Sequence, residues 1–347
     1  MRYLLICTKC NSKYPKSYNS QLCKCGGMLE VIYKKVKLPE KGEEFWSFYG
    51  ALPDGKYRKY ELGGTKLIEA VEKDLYLKLE TGNPTRSFKD RGSAIEVAKA
   101  AEYGYNEIAC ASTGNMAYSI AYYAKLYGLR AKVFISNGAN KDKIADILST
   151  HRAKLIMVNG DFTKAQALAE LYAEKHAAFL AGDYCYRKEG QKTVCHEILA
   201  KVPEIKNIIV PVGNATLISS VFKALAEAKA AGRIKSVPSI IGVQSTRCMP
   251  LVRAFRIGKG IKYEKPETKA DAIAVGYPTF GEQAIDAVSR TKGTMVSVSD
   301  REMSTEQLRF MEDYGLVAEL AGVASLAAFK KLRPNGATVA IISGGNV

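Results

Sequence analysis

The sequence predicts an α/β protein with mainly parallel sheets, preceded by a small cysteine-bearing unit. Three observations carry this. From about residue 74, apolar runs of strand length alternate with longer stretches of helical spacing. Several runs, such as Ile208-Ile209-Val210, lack polar alternation, as strands buried on both faces do. Four of the eight cysteines crowd the first 25 residues. A chain of 347 residues exceeds one small core and suits two α/β domains plus an appendage.

Residues 1–35 read as a separate ribbon. Cys7 and Cys10 form one turn, Cys23 and Cys25 a second, tighter one, followed by the strand-like Leu29-Glu30-Val31-Ile32-Tyr33. Two paired-thiol turns can close a tetrahedral zinc site through Cys7, Cys10, Cys23 and Cys25. The alternative is a ribbon shaped by strand pairing with reduced thiols. Residues 36–65 are a connector rich in Gly, Pro, Tyr and Lys. Strands are expected at 75–79, 108–111, 131–135, 155–158, 208–212, 240–243 and 339–342. Helices are expected at 90–103, 115–127, 140–150, 163–176 and 215–231.

Lys plus Arg number 51 against 35 Asp plus Glu, a net charge of +16. The lysines are scattered, with no basic run and no aromatic-basic stripe, so nucleic acid is not the expected partner. A basic surface also attracts small anions. No apolar run approaches a membrane span, and the amino terminus is too weakly apolar for a secretory signal. A cytoplasmic protein without a disulfide framework is expected.

In parallel sheets, ligands gather at the carboxyl ends of strands. Four such loops are unusual. The loop after 75–79 ends in Ser87-Phe88-Lys89-Asp90-Arg91-Gly92, with Lys89 at a helix start. A helix amino terminus disfavours a cation and so favours a nucleophilic neutral amine. Ser112-Thr113-Gly114-Asn115 opens a helix with hydroxyls, an amide and backbone N–H groups, which suits a carboxylate or phosphate. Gly213-Asn214-Ala215-Thr216-Leu217 opens another helix and suits a phosphate, but lacks dinucleotide or triphosphate spacing. Ser343-Gly344-Gly345-Asn346 puts a hydroxyl at a strand end, suited to a heteroaromatic ring nitrogen.

Together these loops resemble those of the fold-type II pyridoxal 5'-phosphate (PLP) enzymes, the tryptophan synthase β family, and among them most of all the threonine synthases. The resemblance extends to Glu189-Gly190-Gln191-Lys192-Thr193, Gly242-Val243-Gln244-Ser245-Thr246 and Val296-Ser297-Val298-Ser299-Asp300. It covers nearly the whole chain. It implies two three-layer α/β domains behind the zinc-ribbon-like segment: a large PLP-binding domain of residues 36–92 and 181–347, and a smaller mobile domain of residues 93–180. It implies a small-molecule substrate and a homodimer.

By the same resemblance, Lys89 bears PLP as a Schiff base and shuttles the α-proton, with Phe88 beside the ring. Asn115 contacts the phenolic oxygen, residues 213–217 hold the phosphate, and Ser343 faces the pyridine nitrogen. Ser112 and Thr113 bind the substrate carboxylate, and Arg187 and Lys192 offer cations to a substrate phosphate. The implied reaction converts O-phosphohomoserine and water to threonine and phosphate. Departures leave alternatives. Met116 stands where the family has a hydroxyl, residues 181–187 keep only Arg187 of an Asn/Ser-rich stretch, and Leu320 follows Glu319 where Pro is usual. A threonine/serine dehydratase, or a β-replacement enzyme acting on O-phosphoserine, shares the chemistry; a degenerate PLP-binding homologue is the non-enzyme alternative.

Overall fold

The computed structural model describes residues 2–40, 42, 44–112, 114–136, 141–160 and 162–345. The chain forms two compact units: Met1–Lys37, Tyr49–Glu61 and Lys89–Gly190 in the first, and Leu38–Phe48, Leu62–Phe88 and Gln191–Val347 in the second.

In the first unit, β1 (Tyr3–Cys7) pairs antiparallel with β2 (Lys13–Tyr14) on one side and β3 (Leu29–Tyr33) on the other. This ribbon alternates buried and half-exposed positions along β1, so Tyr3, Leu5 and Cys7 face inward. A second, four-stranded parallel sheet has the order β8 (Ala153–Val158), β7 (Arg130–Ser136), β6 (Glu107–Ala111), β9 (Phe179–Leu180). Its helices are α1 (Lys89–Glu102), α2 (Asn115–Tyr127), α3 (Lys141–Ser149), α4 (Phe162–Lys175) and α5 (Cys185–Gln191). Ala165, Ala169 and Ala173 recur every four residues on α4 and bury its face against Ala109, Ala111, Phe134 and Val158. Helix α1 is buried nearly all round, from Asp90 to Ala100.

The second unit holds a six-stranded sheet of order β12 (Thr294–Val298), β11 (Ser239–Ser245), β10 (Asn207–Pro211), β13 (Thr338–Ile342), β5 (Leu75–Leu79), β4 (Leu67–Glu69). All pairings are parallel except that of the edge strand β4. Its helices are α6 (Thr193–Lys201), α7 (Thr216–Ala230), α8 (Pro250–Ile257), α9 (Gly281–Arg290), α10 (Asp300–Tyr314) and α11 (Ala324–Leu332). The core packs Leu77, Ile209, Val243 and Ile342 of the sheet with Met303 and Phe310 of α10 and Ala324, Ala327 and Ala328 of α11. Both units are α/β with parallel sheets, as expected.

The unit boundaries differ from the sequence division at 92/93 and 180/181. Buried polar links draw the ribbon, α1 and α5 into one unit. Arg187 of α5 pairs with Glu96 of α1, both fully buried, and Tyr33 of β3 donates to Glu189 of α5 at 2.6 Å. Gly190 allows the close approach: a Cβ there would lie 1.9 Å from the Arg91 carbonyl oxygen. No described helix is long and apolar enough to cross a membrane.

Candidate active site

Three of the four loops lie side by side in the second unit. β10, β13 and β5 are neighbouring parallel strands, so the loops after them emerge at one end of the sheet. Adjacent strands are about 4.8 Å apart, so groups on these loops fall within reach of one small molecule.

The loop after β5 is held tightly. Ser87 bridges to Gly344, the Phe88 N–H donates to the Ser343 carbonyl at 3.0 Å, and the Gly345 N–H donates to the Arg86 carbonyl at 2.8 Å. Ser343 is 4% exposed at the end of β13. Beneath lies a buried polar network. The Lys78 ammonium donates to Glu197 and to the Thr65 carbonyl, both at 2.6 Å, Thr65 donates to Glu80 at 2.7 Å, and Asn83 donates to Glu80 at 2.9 Å. None of these residues was singled out from sequence. The available signal was Lys78 itself, a cation inside an otherwise apolar strand.

Gly213–Leu217 follows β10 and opens α7. Ala215 caps the helix at φ 67°, in the left-handed region that costs a non-glycine residue about 1–2 kcal/mol. Left-handed geometry just ahead of a helix turns successive N–H groups toward one point, the pattern of an anion nest. The first-turn N–H groups of α7 have no acceptor within their helix. Thr279 anchors the loop by donating its N–H and hydroxyl to Asn214 Oδ1 at 3.0 and 3.1 Å. Gly213 is obligatory, since a Cβ there would lie 2.7 Å from the Ala272 carbonyl oxygen.

In the first unit, Lys89 is the first residue of α1 and half-buried. Next to it, Asp90 accepts from the Ser119 hydroxyl at 2.6 Å, which ties the start of α1 to α2. Asn115, 6% exposed, is the first residue of α2. Ser112 ends the loop from β6 and accepts from the Gly114 N–H at 3.3 Å. Thr113 lies outside the described residues. Lys143 of α3, buried and not anticipated, approaches this loop: a Cβ on Gly114 would lie 3.7 Å from its ammonium. Met116 is buried in the first turn of α2.

Two expected substrate-binding cations are engaged elsewhere. Arg187 is fully buried and donates to the Gly182 carbonyl at 2.8 Å, the Lys89 carbonyl at 3.4 Å, Ser93 Oγ at 3.2 Å and Glu96 at 2.5 Å. These bonds use four of its five N–H groups. Burial pushes the Glu96 carboxyl up to about 7, against the pull of Arg187. Lys192 is fully buried and donates to Glu227 at 2.7 Å. Glu227 lies on the last turns of α7, about 16 Å along the helix from its phosphate-type amino end. Arg187 and Lys192, expected at the substrate phosphate, thus each have a buried carboxylate partner.

The donor set of the second unit fits PLP. A helix-opening nest suits a phosphate dianion, and a buried strand-end hydroxyl on the neighbouring strand suits a ring nitrogen. In the ribbon, the Sγ atoms of Cys7, Cys10, Cys23 and Cys25 lie within 4.8 Å of one another. The separations Cys7–Cys25 and Cys10–Cys23 are 3.6 Å, and Cys10–Cys25 is 3.5 Å. Tetrahedral zinc with bonds of about 2.3 Å sets its sulfurs about 3.8 Å apart.

Comparison with known proteins agrees with this geometry. Residues 59–344 match the family model described as pyridoxal-phosphate dependent enzyme. The threonine synthase of Methanocaldococcus jannaschii is 34% identical over 95% of this chain and 87% of its own length. That of Methanosarcina acetivorans is 35% identical over the same shares. Among solved structures, maize serine racemase superposes with a TM-score of 0.72 at 25% identity, covering 82% of this chain and 88% of that one. The chain belongs to the pyridoxal-phosphate-dependent enzymes, within the family that the threonine synthases represent.

Proposed function

We propose that the chain is a threonine synthase that converts O-phosphohomoserine and water to L-threonine and phosphate. The observation that carries this reading is the Arg86–Phe88 loop strapped to Ser343–Gly345 beside the Gly213–Leu217 nest, in a chain similar to threonine synthases along 95% of its length. When bound, PLP supplies an electron sink for a carbanion next to the amino group. The Lys89 amine holds the cofactor and moves a proton at its Nζ. Residues 213–217 would hold the phosphate end, Phe88 would lie beside the ring, and the Ser343 hydroxyl would partner the ring nitrogen without forcing its protonation. Asn115 would orient the ring, and Ser112 and Thr113 would receive the substrate carboxylate. Loss of phosphate breaks the Cγ–O bond, and water then adds its hydroxyl at Cβ and a proton at Cγ.

Lys143 is placed near the substrate anion, because a Cβ on Gly114 would lie 3.7 Å from its ammonium. The engagement of Arg187 also favours a second reading, elimination from an unphosphorylated hydroxy-amino acid, as in a threonine/serine dehydratase. Product analysis on O-phosphohomoserine, threonine, serine and O-phosphoserine separates them. Phosphate and threonine from phosphohomoserine support the synthase. 2-Oxobutanoate from threonine, with no phosphate release from phosphohomoserine, overturns it. We further propose that the four ribbon thiolates hold one structural zinc ion, supported by their separations and by the Lys9 and Cys10 N–H groups that donate to Cys7 Sγ at 3.4 Å.

A further inference from the structure

A buried line of hydrogen bonds runs within the first unit from the cysteine ribbon to the amino end of α1. Gln21 stands two residues before Cys23 and is 3% exposed. Its Nε2 donates to the Leu180 carbonyl at 2.7 Å and to Glu96 Oε1 at 3.3 Å. Its Oε1 accepts from the Tyr186 N–H at 3.4 Å. Glu96 Oε1 also accepts from the Gly182 N–H at 3.1 Å, and Oε2 accepts from Arg187 at 2.5 Å. Arg187 closes the line on the Lys89 carbonyl at 3.4 Å. Its Cγ would be 2.5 Å from a Cβ on Gly92, so the side chain crosses α1 at the motif glycine.

Every side chain in the line is buried, so water cannot replace a lost partner. Gln21 has its acceptor and its donor engaged on three elements at once: α1, β9 and α5. Arg187 holds the first turn of α1 twice, through the Lys89 carbonyl and the Ser93 hydroxyl. That turn sets the direction in which the Lys89 side chain leaves the backbone.

We propose that Gln21 and Glu96 are positioning residues for Lys89. The ribbon, through Gln21, sets the Glu96–Arg187 pair, and the pair sets the first turn of α1. This rests on the reading of Lys89 as the cofactor-bearing lysine. It gives the cysteine ribbon a part in catalysis, where the sequence suggested a remote structural appendage.

The test compares wild type with Gln21→Leu and Glu96→Gln, each as the full chain. Borohydride reduction and peptide mapping first locate the cofactor. Hydrogen exchange is then followed at the amides of residues 90–93 and of α2, alongside kcat, KM and the unfolding temperature. The expected result is a cofactor still trapped on Lys89, faster exchange at 90–93 with α2 unchanged, and kcat lowered about 10- to 100-fold at little-changed KM. Wild-type exchange and kcat in both variants, with or without a lower unfolding temperature, would overturn the positioning role while leaving Lys89 intact. Trapping on another lysine in wild type would overturn the Lys89 reading itself, and this inference with it.

Discussion

Replacing Glu227 by Gln tests whether Lys192 is a structural cation. The Lys192 ammonium is 2.7 Å from Glu227 Oε1, and His196 Nε2 is 3.1 Å from Oε2. Burial pushes the Glu227 carboxyl up, but the Lys192 ammonium and the His196 hydrogen bond outweigh it and hold the group at about 2. A drop from 4.5 to about 2 corresponds to about 3 kcal/mol of preference for the ionised form in the folded state. Removing one partner of a buried pair costs about the same, about 3–5 kcal/mol. The folded value is depressed, so the stability is fully present above pH 4.5 and is lost as pH falls through about 2. Glu227→Gln should therefore unfold in urea with about 3 kcal/mol less stability at pH 7, and the difference should shrink to about 1 kcal/mol at pH 3. KM for O-phosphohomoserine should stay unchanged if the Lys192 ammonium serves Glu227 of α7. Equal stability at pH 7, or a deficit that persists undiminished at pH 3, would refute the pairing. A large rise in KM at intact stability would return Lys192 to the substrate.

Three further outcomes follow from the geometry. Lys89→Ala should yield no borohydride-fixed adduct and no turnover, with an unfolding temperature near wild type for the cofactor-free forms. Metal analysis of protein prepared without chelator should find about one zinc per chain, and Cys10→Ser should lower both zinc content and stability; a metal-free wild type would leave a ribbon held by strand pairing alone. Gly190→Ala forces a Cβ to within 1.9 Å of the Arg91 carbonyl oxygen, so it should cost about 1–3 kcal/mol or more in denaturant titrations; wild-type stability would mean that α1 and α5 can separate freely.

Much of the candidate site was legible because each piece is local. Strand, glycine-bearing loop and helix start are contiguous in Lys89, Ser112–Asn115, Gly213–Leu217 and Ser343, and residues a few positions apart suffice to recognise them. The same holds for Cys7, Cys10, Cys23 and Cys25, whose spacing alone suggested one site and whose thiols the structure gathers. Strands β1, β2, β4, β9 and β12 and helices α5, α6 and α8 to α11 are not among the elements expected from the sequence. β4 and β9 are three and two residues long and form only where a neighbouring strand offers backbone partners. Helices α8 and α9 are short, and their shape depends on the sheet they cover.

The sequence by itself determined the α/β class and the order of the loaded loops, because hydrophobic periodicity and loop composition are properties of neighbouring residues. Only the tertiary structure decided what the buried charges do. Arg187 and Glu96 are 91 positions apart, Lys192 and Glu227 35, and Lys78 and Glu197 119. Nothing local marks such partners. A buried cation must find an anion, and which anion depends on which helices and strands the fold packs together. Arg187 and Lys192, expected as donors to a substrate, each have such a carboxylate partner, and the role proposed for Gln21 emerges only once the ribbon is seen against α1.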